Sequence, residues 1–90
     1  PPSSDGLALH VAPVPARGQV TVRYTLAAGV TVRLDVVDGL GRVVAVLADG
    51  PQAAGAHRLA WDATALPAGV YRVRLQTGAD VATRAVTVAR

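Results

Sequence analysis

The chain has 90 residues, about half of them apolar, and a net charge of +3 from nine arginines and six aspartates, which suits one small domain. Cys, Phe, Ile and Met are absent, so Val and Leu must form the core with one Trp and two Tyr, without a disulfide. The arginines are spread mostly singly, which argues against nucleic-acid binding, and no apolar run approaches the roughly 20 residues of a membrane-spanning helix.

Alternating apolar and polar residues predict seven short β-strands, because successive side chains on a strand point to opposite faces. The strands are expected at residues 7–11, 20–26, 30–36, 42–47, 55–61, 70–76 and 81–88. Residues 1–6 are polar and turn-forming, and they are predicted to be a linker remnant within a longer protein. The turn residues that should separate the strands are Pro13 and Pro15, Ala27-Ala28-Gly29, Asp38-Gly39-Leu40-Gly41, Asp49-Gly50-Pro51 and Thr77-Gly78-Ala79-Asp80.

No apolar stripe with the period of a helix persists without Gly or Pro. Residues 7–90 are therefore predicted to form one all-β domain, an immunoglobulin-like two-sheet antiparallel sandwich of about seven strands. The expected core comprises Leu9, Val22, Tyr24, Val32, Leu34, Leu59, Trp61, Tyr71, Val73 and Leu75. The third strand should pair with the sixth, which places Arg33 and Asp35 beside Arg72 and Arg74 on an exposed face.

The segment Leu66-Pro67-Ala68-Gly69-Val70-Tyr71 predicts a structural corner before the sixth strand. Pro67 fixes one backbone angle, and Gly69 permits angles that other residues avoid. Gly-x-Tyr at the start of a strand is the spacing of a tyrosine corner, in which the hydroxyl bonds to backbone a few residues upstream. We expect the Tyr71 hydroxyl to bond within or near residues 65–67.

The sequence offers little for catalysis or cofactor binding. His10 and His57 lie far apart, with no cysteine or glutamate to complete a metal site, and His57 is expected to be partly buried and hydrogen-bonded. Asp38, Asp49, Asp62 and Asp80 stand singly at turns, which favours backbone capping over calcium binding. Trp61 alternates with Leu59, which favours the core over a sugar-stacking surface. We predict no enzyme activity, no catalytic residue, no cofactor and no metal ion.

Several segments, taken together with their order and spacing, resemble one known family. They are Ala12-Pro13-Val14-Pro15, residues 20–26, residues 36–44 with Gly41 and Arg42, Gly55-Ala56-His57, Trp61-Asp62, residues 66–71 and Ala85-Val86-Thr87-Val88. The set resembles the type A C-terminal sorting domain of the type IX secretion system, which is related to the immunoglobulin-like domain of the flagellar hook-capping protein. That family usually has Pro-Asn-Pro in place of Pro13-Val14-Pro15, and lysines near its end where this chain has Arg84 and Arg90.

The resemblance implies a non-enzymatic domain that directs an exported cargo by way of the periplasm and through the outer membrane to the cell surface. The implied partners are the outer-membrane translocon and its sorting machinery. The candidate recognition residues are Arg72, Arg74, Arg84, Val86, Val88 and Arg90. The alternative is a structural surface or fibre-forming module that self-associates through edge strands. A carbohydrate-binding module is the third interpretation.

Overall fold

The structure, a computed structural model, describes residues 7–78 and 80–89. Its seven strands are β1 Leu7–Ala12, β2 Gln19–Leu26, β3 Val30–Val37, β4 Val43–Gln52, β5 Gly55–Asp62, β6 Gly69–Gln76 and β7 Val81–Val88. A 3-10 turn, Ala63–Ala65, lies between β5 and β6. All seven predicted strands are present, as expected for segments rich in branched Val with one apolar face.

The strands form two antiparallel sheets with the orders β1-β2-β5 and β4-β3-β6-β7. The chain passes from one sheet to the other between β2 and β3, between β4 and β5, and between β5 and β6. Two sheets connected in this way form an immunoglobulin-like sandwich, which confirms the predicted fold class. The predicted pairing of the third and sixth strands is also confirmed, with Asp35 opposite Arg74 and Val37 opposite Arg72.

The inward faces of both sheets form one apolar core. Nine of the ten predicted core residues are buried, and the tenth, Leu59, is half-buried and packs against the core. The core also includes Val20, Val36, Val86 and Val88. The register derived from alternation is therefore confirmed, since a slip by one residue would have exchanged the two faces of each strand.

Strand β4 is longer than predicted. Asp49, Gly50 and Pro51 were expected to end it, but they remain paired with β3 opposite Arg33, Val32 and Thr31. A proline is tolerated there because β4 is an edge strand, so one side of its backbone has no neighbouring strand to bond. The pairing of β3 with β4 shifts register twice, between Leu34 and Asp35 and between Val36 and Val37, which indicates β-bulges.

The segment between β1 and β2 contacts the other sheet. Pro13 and Pro15 end the pairing with β2, because a proline has no backbone N–H to donate. Ala16 is then fully buried and forms a parallel bridge to Val88 of β7. Its N–H donates to Thr87 O at 2.7 Å, and its carbonyl accepts from Ala89 N at 2.8 Å. This segment covers one end of the β7 edge and joins the two sheets there.

Candidate interaction surfaces

The tyrosine corner forms as predicted. The Tyr71 hydroxyl donates to Pro67 O at 2.6 Å, and the Tyr71 ring is almost completely buried. Gly69 has a φ of +159°, at the boundary of the extended region, and an added Cβ would lie 3.9 Å from the Tyr71 ring. The corner therefore combines the hydroxyl bond with a glycine at a positive φ. Leu66 is half-buried against the core and Pro67 is exposed.

We expect Tyr71→Phe to lower the free energy of unfolding by about 1 kcal/mol, the usual net value of one hydrogen bond, because the ring would stay in place while Pro67 O lost its donor. Urea denaturation followed by Trp61 fluorescence would measure the change. Tyr24→Phe is the matched control, because that hydroxyl bonds to the Gln52 side chain and lies outside the corner. Unchanged stability of Tyr71→Phe would remove the corner as a stabilising feature.

The family motif residues Gly41 and Arg42 belong to the turn between β3 and β4. Oδ1 of Asp38 accepts from the backbone N–H of Leu40 at 2.9 Å and of Arg42 at 3.0 Å, and Arg42 Nε donates to Oδ2 at 2.9 Å. These backbone and side-chain bonds, Arg42 foremost, lower the pKa of Asp38. Gly41 has a φ of +82°, in the left-handed region where glycine avoids steric strain.

The remaining motif residues shape both ends of β5. Gly55 begins the strand with a φ of +118°. Trp61 is only 7% exposed, so its ring cannot serve as a sugar-stacking platform. Asp62 caps the 3-10 turn, accepting from the backbone N–H of Thr64 at 2.9 Å and from its hydroxyl at 2.6 Å. The Thr64 hydroxyl and N–H lower the pKa of Asp62. These roles are structural.

The face shared by β3 and β6 differs from the prediction at Asp35. This side chain points away from the core, but it is completely buried rather than exposed. Arg74 donates from Nε to Oδ1 at 3.1 Å and from a terminal nitrogen to Oδ2 at 2.9 Å, and Arg33 Nε donates to Oδ2 at 3.0 Å. We call Asp35, Arg33 and Arg74 the arginine clamp. Burial raises the pKa of Asp35, but the hydrogen bonds from Arg74 and Arg33 outweigh it and lower that pKa overall.

Arg72 and Arg74 therefore have different roles, although the sequence treats them alike. Both project from the outer face of β6, but Arg74 is held by Asp35 while Arg72 lies one row away, opposite Val37. No hydrogen bond or ion pair of the Arg72 side chain occurs among residues 7–78 and 80–89. Of the two predicted recognition residues on this face, only Arg72 offers a guanidinium without an intramolecular partner in the described structure.

Strand β7 is fixed in the sandwich. Val86 and Val88 are buried, at 0% and 3% exposure, so they are core residues rather than docking residues. Arg84 Nε donates to Leu9 O at 2.9 Å and so joins β7 to the free edge of β1. Arg90, the last predicted recognition residue, lies outside the described residues. The predicted open edge at β7 is thus partly closed by Arg84 and Ala16.

The histidines differ in their surroundings. His57 is half-buried, stacks on Tyr24 with ring centroids 5.2 Å apart, and has Nε2 at 2.7 Å from Ala53 O. That Nε2 must bear a hydrogen, because a carbonyl can only accept. His10 is exposed. Within the described ranges no three potential ligands among His, Cys, Asp and Glu are grouped to hold a metal ion. No helix in the same ranges is long and apolar enough to cross a membrane.

Sequence reasoning missed two surfaces. One is a row of basic residues, His10, Arg23 and Arg58, across the outer face of the three-stranded sheet. The other is an exposed apolar edge on β4 and the turn before it, formed by Leu40, Val43, Val44 and Val46, which are 80%, 43%, 36% and 50% exposed. Alternation indicated that the basic residues point outward, but their juxtaposition depends on register between distant strands.

The fold and these surfaces define a class of protein: an immunoglobulin-like β-sandwich module. The model of the FlgD Ig-like domain family matches residues 13–80. This match spans most of the chain, which therefore belongs to the FlgD Ig-like domain family. The family is a structural, non-catalytic type of domain. No curated protein matches the chain.

Proposed function

We propose that this domain is a non-catalytic sorting domain that directs an exported cargo by way of the periplasm and through the outer membrane to the cell surface. Membership of the FlgD Ig-like domain family supports the module class, and the motif resemblance described above supports the sorting role. The observation on which the proposal rests most is that the described motif segments occupy one folded unit, from the bridge at Ala16 to the buried Val88. We infer that the sorting signal is a surface of the folded domain rather than a short linear segment.

The outer face of the four-stranded sheet is the best candidate for the recognised surface. Arg72 is exposed there without a described partner, next to the exposed Ala85 on β7, while Val70 at the strand's start is 59% exposed. An unpaired guanidinium among small and apolar side chains can bind a carboxylate of a protein partner. Arg74 and Arg84 are less suited to this role, since Asp35 and Leu9 O already bind their guanidinium groups.

The test is a reporter with its own signal for inner-membrane export, fused in front of this domain and produced in a cell with type IX secretion. We expect the intact fusion to reach the cell surface or medium and Arg72→Glu to remain in the periplasm while still folded. Arg23→Glu is the matched control, because Arg23 is an exposed arginine on the opposite sheet. An intact fusion that folds but stays in the periplasm would contradict the sorting role.

A second function has its own supporting observation: the exposed apolar residues of β4. An edge strand with unpaired backbone groups and exposed valines is suited to pairing with another copy of the domain. The bulges in β4 oppose such pairing, because they twist the strand and interrupt its regular hydrogen bonding. Sedimentation of the purified domain separates the two proposals: long polymers would favour a fibre-forming module, and a monomer would favour the sorting domain.

A further inference from the structure

The outer face of the three-stranded sheet has a row of three basic residues, one from each strand. His10 of β1 lies opposite Arg23 of β2, which lies opposite Arg58 of β5. All three are exposed. Neighbouring strands are about 4.8 Å apart, so the two guanidinium groups can converge on one small group. Like charges placed directly opposite each other in a sheet destabilise it, which makes an uncompensated row unusual.

No acidic side chain neutralises this row within the described part of the chain. Neither arginine side chain has an ion pair or a hydrogen bond there, and the His10 side chain has none either. The aspartate on the same face, Asp62, is four residues beyond Arg58, about 13 Å along an extended strand. Its Oδ1 already accepts two hydrogen bonds from Thr64. The positive charge of the row is therefore available to an external anion.

The row borders a hollow in which an anion could lie. Its volume is about 460 Å³, and its lining includes His10, Arg23 and Arg58 together with Thr25 and Ala56. Thr25 and Ala56 form the adjacent row of the same face, and their small side chains leave the basic groups room to bend over them. The Thr25 hydroxyl can add a hydrogen-bond donor. The hollow is thus bordered by hydrogen-bond donors that the three-stranded sheet holds in place.

The confined size of the charged row indicates a compact ligand. The rows on either side contain Ala8, Thr25 and Ala56, and Ala12, Thr21 and Ala60, so no basic stripe extends along the sheet to follow a polyanion. A phosphate monoester has close to two negative charges at neutral pH and oxygens that pair with guanidinium groups in a bidentate manner. We propose that this hollow binds a phosphate monoester group, held by Arg23 and Arg58 with His10 and Thr25 as further donors. This inference does not depend on the proposed sorting function.

The experiment is an NMR titration of the 90-residue chain with inorganic phosphate, against sodium chloride at equal ionic strength. We expect saturable shifts of the Arg23, Arg58 and His10 signals with phosphate and not with chloride. Arg23→Gln and Arg58→Gln should each weaken binding about tenfold, the effect of losing charge-assisted hydrogen bonds. Arg17→Gln is the matched control and should bind normally, because Arg17 is an exposed arginine that does not line the hollow. Equal weakening by all three variants, or shifts spread over all arginines, would overturn the proposal.

Two further ligands show whether the phosphate group belongs to a lipid and test whether phosphate is the preferred type of anion. Vesicles of phosphatidylcholine with phosphatidic acid, whose headgroup is a phosphate monoester, should compete with inorganic phosphate if the source is a lipid. Binding of free phosphate without binding to these vesicles would assign a soluble phosphate compound. A peptide rich in aspartate that bound more tightly than phosphate, with the same dependence on Arg23 and Arg58, would overturn the phosphate assignment. The phosphate-binding experiments do not measure export of the reporter fusion, so their failure would be distinguishable from failure of the secretion test.

Discussion

Removal of residues 85–90 is expected to unfold the domain. The deletion takes Val86 and Val88 out of the core, and burial of a valine contributes about 1.5–3 kcal/mol. It also removes both backbone partners of Ala16, Thr87 O and Ala89 N, and leaves half of the β6 edge without a partner. A domain of this size has about 5–15 kcal/mol of total stability, so a loss of several interactions of this kind exceeds what it can tolerate.

Circular dichroism and the dispersion of NMR signals would measure this loss. The matched pair Val86→Ala and Thr87→Ala separates burial from mere sequence change, because one side chain is buried and the next is exposed on the same strand. We expect about 2 kcal/mol of destabilisation for Val86→Ala and less than about 0.5 kcal/mol for Thr87→Ala. A truncated chain with a cooperative melting transition at the normal temperature would show that β7 is dispensable.

The truncation also determines how a secretion experiment should be designed. Loss of export after removal of residues 85–90 would not distinguish a missing recognition sequence from an unfolded domain. The resemblance to a sorting domain favours that truncation, because it places Val86, Val88 and Arg90 among the candidate recognition residues. The burial of Val86 and Val88 makes single substitutions of exposed residues, such as Arg72→Glu, the more specific test of recognition.

Much of the fold could be predicted because it depends on local pattern. Alternation identified nine buried core residues, and the order of Pro67, Gly69 and Tyr71 predicted the corner bond to Pro67 O. The end of β4 could not be predicted in the same way. Asp49-Gly50-Pro51 has the composition of a turn. An edge strand is hydrogen-bonded to a neighbour on one side only, so it can include Gly and Pro and still remain paired.

The candidate surfaces were harder to predict because they depend on which strands become neighbours. His10, Arg23 and Arg58 are up to 48 residues apart in the sequence, and only the register of two strand pairs places them in one row. Arg84 likewise bonds to Leu9 O across 75 residues. A charged residue at an outward position was predicted correctly as outward, but alternation does not reveal whether another strand supplies a partner for it.

Arg74 belongs to the arginine clamp and Arg72 does not, so substitutions of these two arginines can be compared directly. We expect Arg74→Ala to lower the free energy of unfolding by about 2 kcal/mol, because it removes two hydrogen bonds from a buried carboxylate. Arg33→Ala should cost less, since Arg33 donates one bond to Asp35. Arg72→Ala is the matched control and should change stability by less than about 0.5 kcal/mol. Urea denaturation at neutral pH would measure all three values.

The difference between wild type and Arg74→Ala should also depend on pH. The pKa of Asp35 is lower in the folded domain than its ordinary value of about 4, so the charged form favours folding. This contribution to stability is complete above about pH 5 and is lost as the pH falls through the lower folded pKa. The stability difference between wild type and Arg74→Ala should therefore be constant near neutrality and shrink in acid. A difference that stayed the same down to the acid unfolding of both proteins would mean that Arg74 stabilises the sheet by packing its aliphatic stem rather than by its bonds to Asp35.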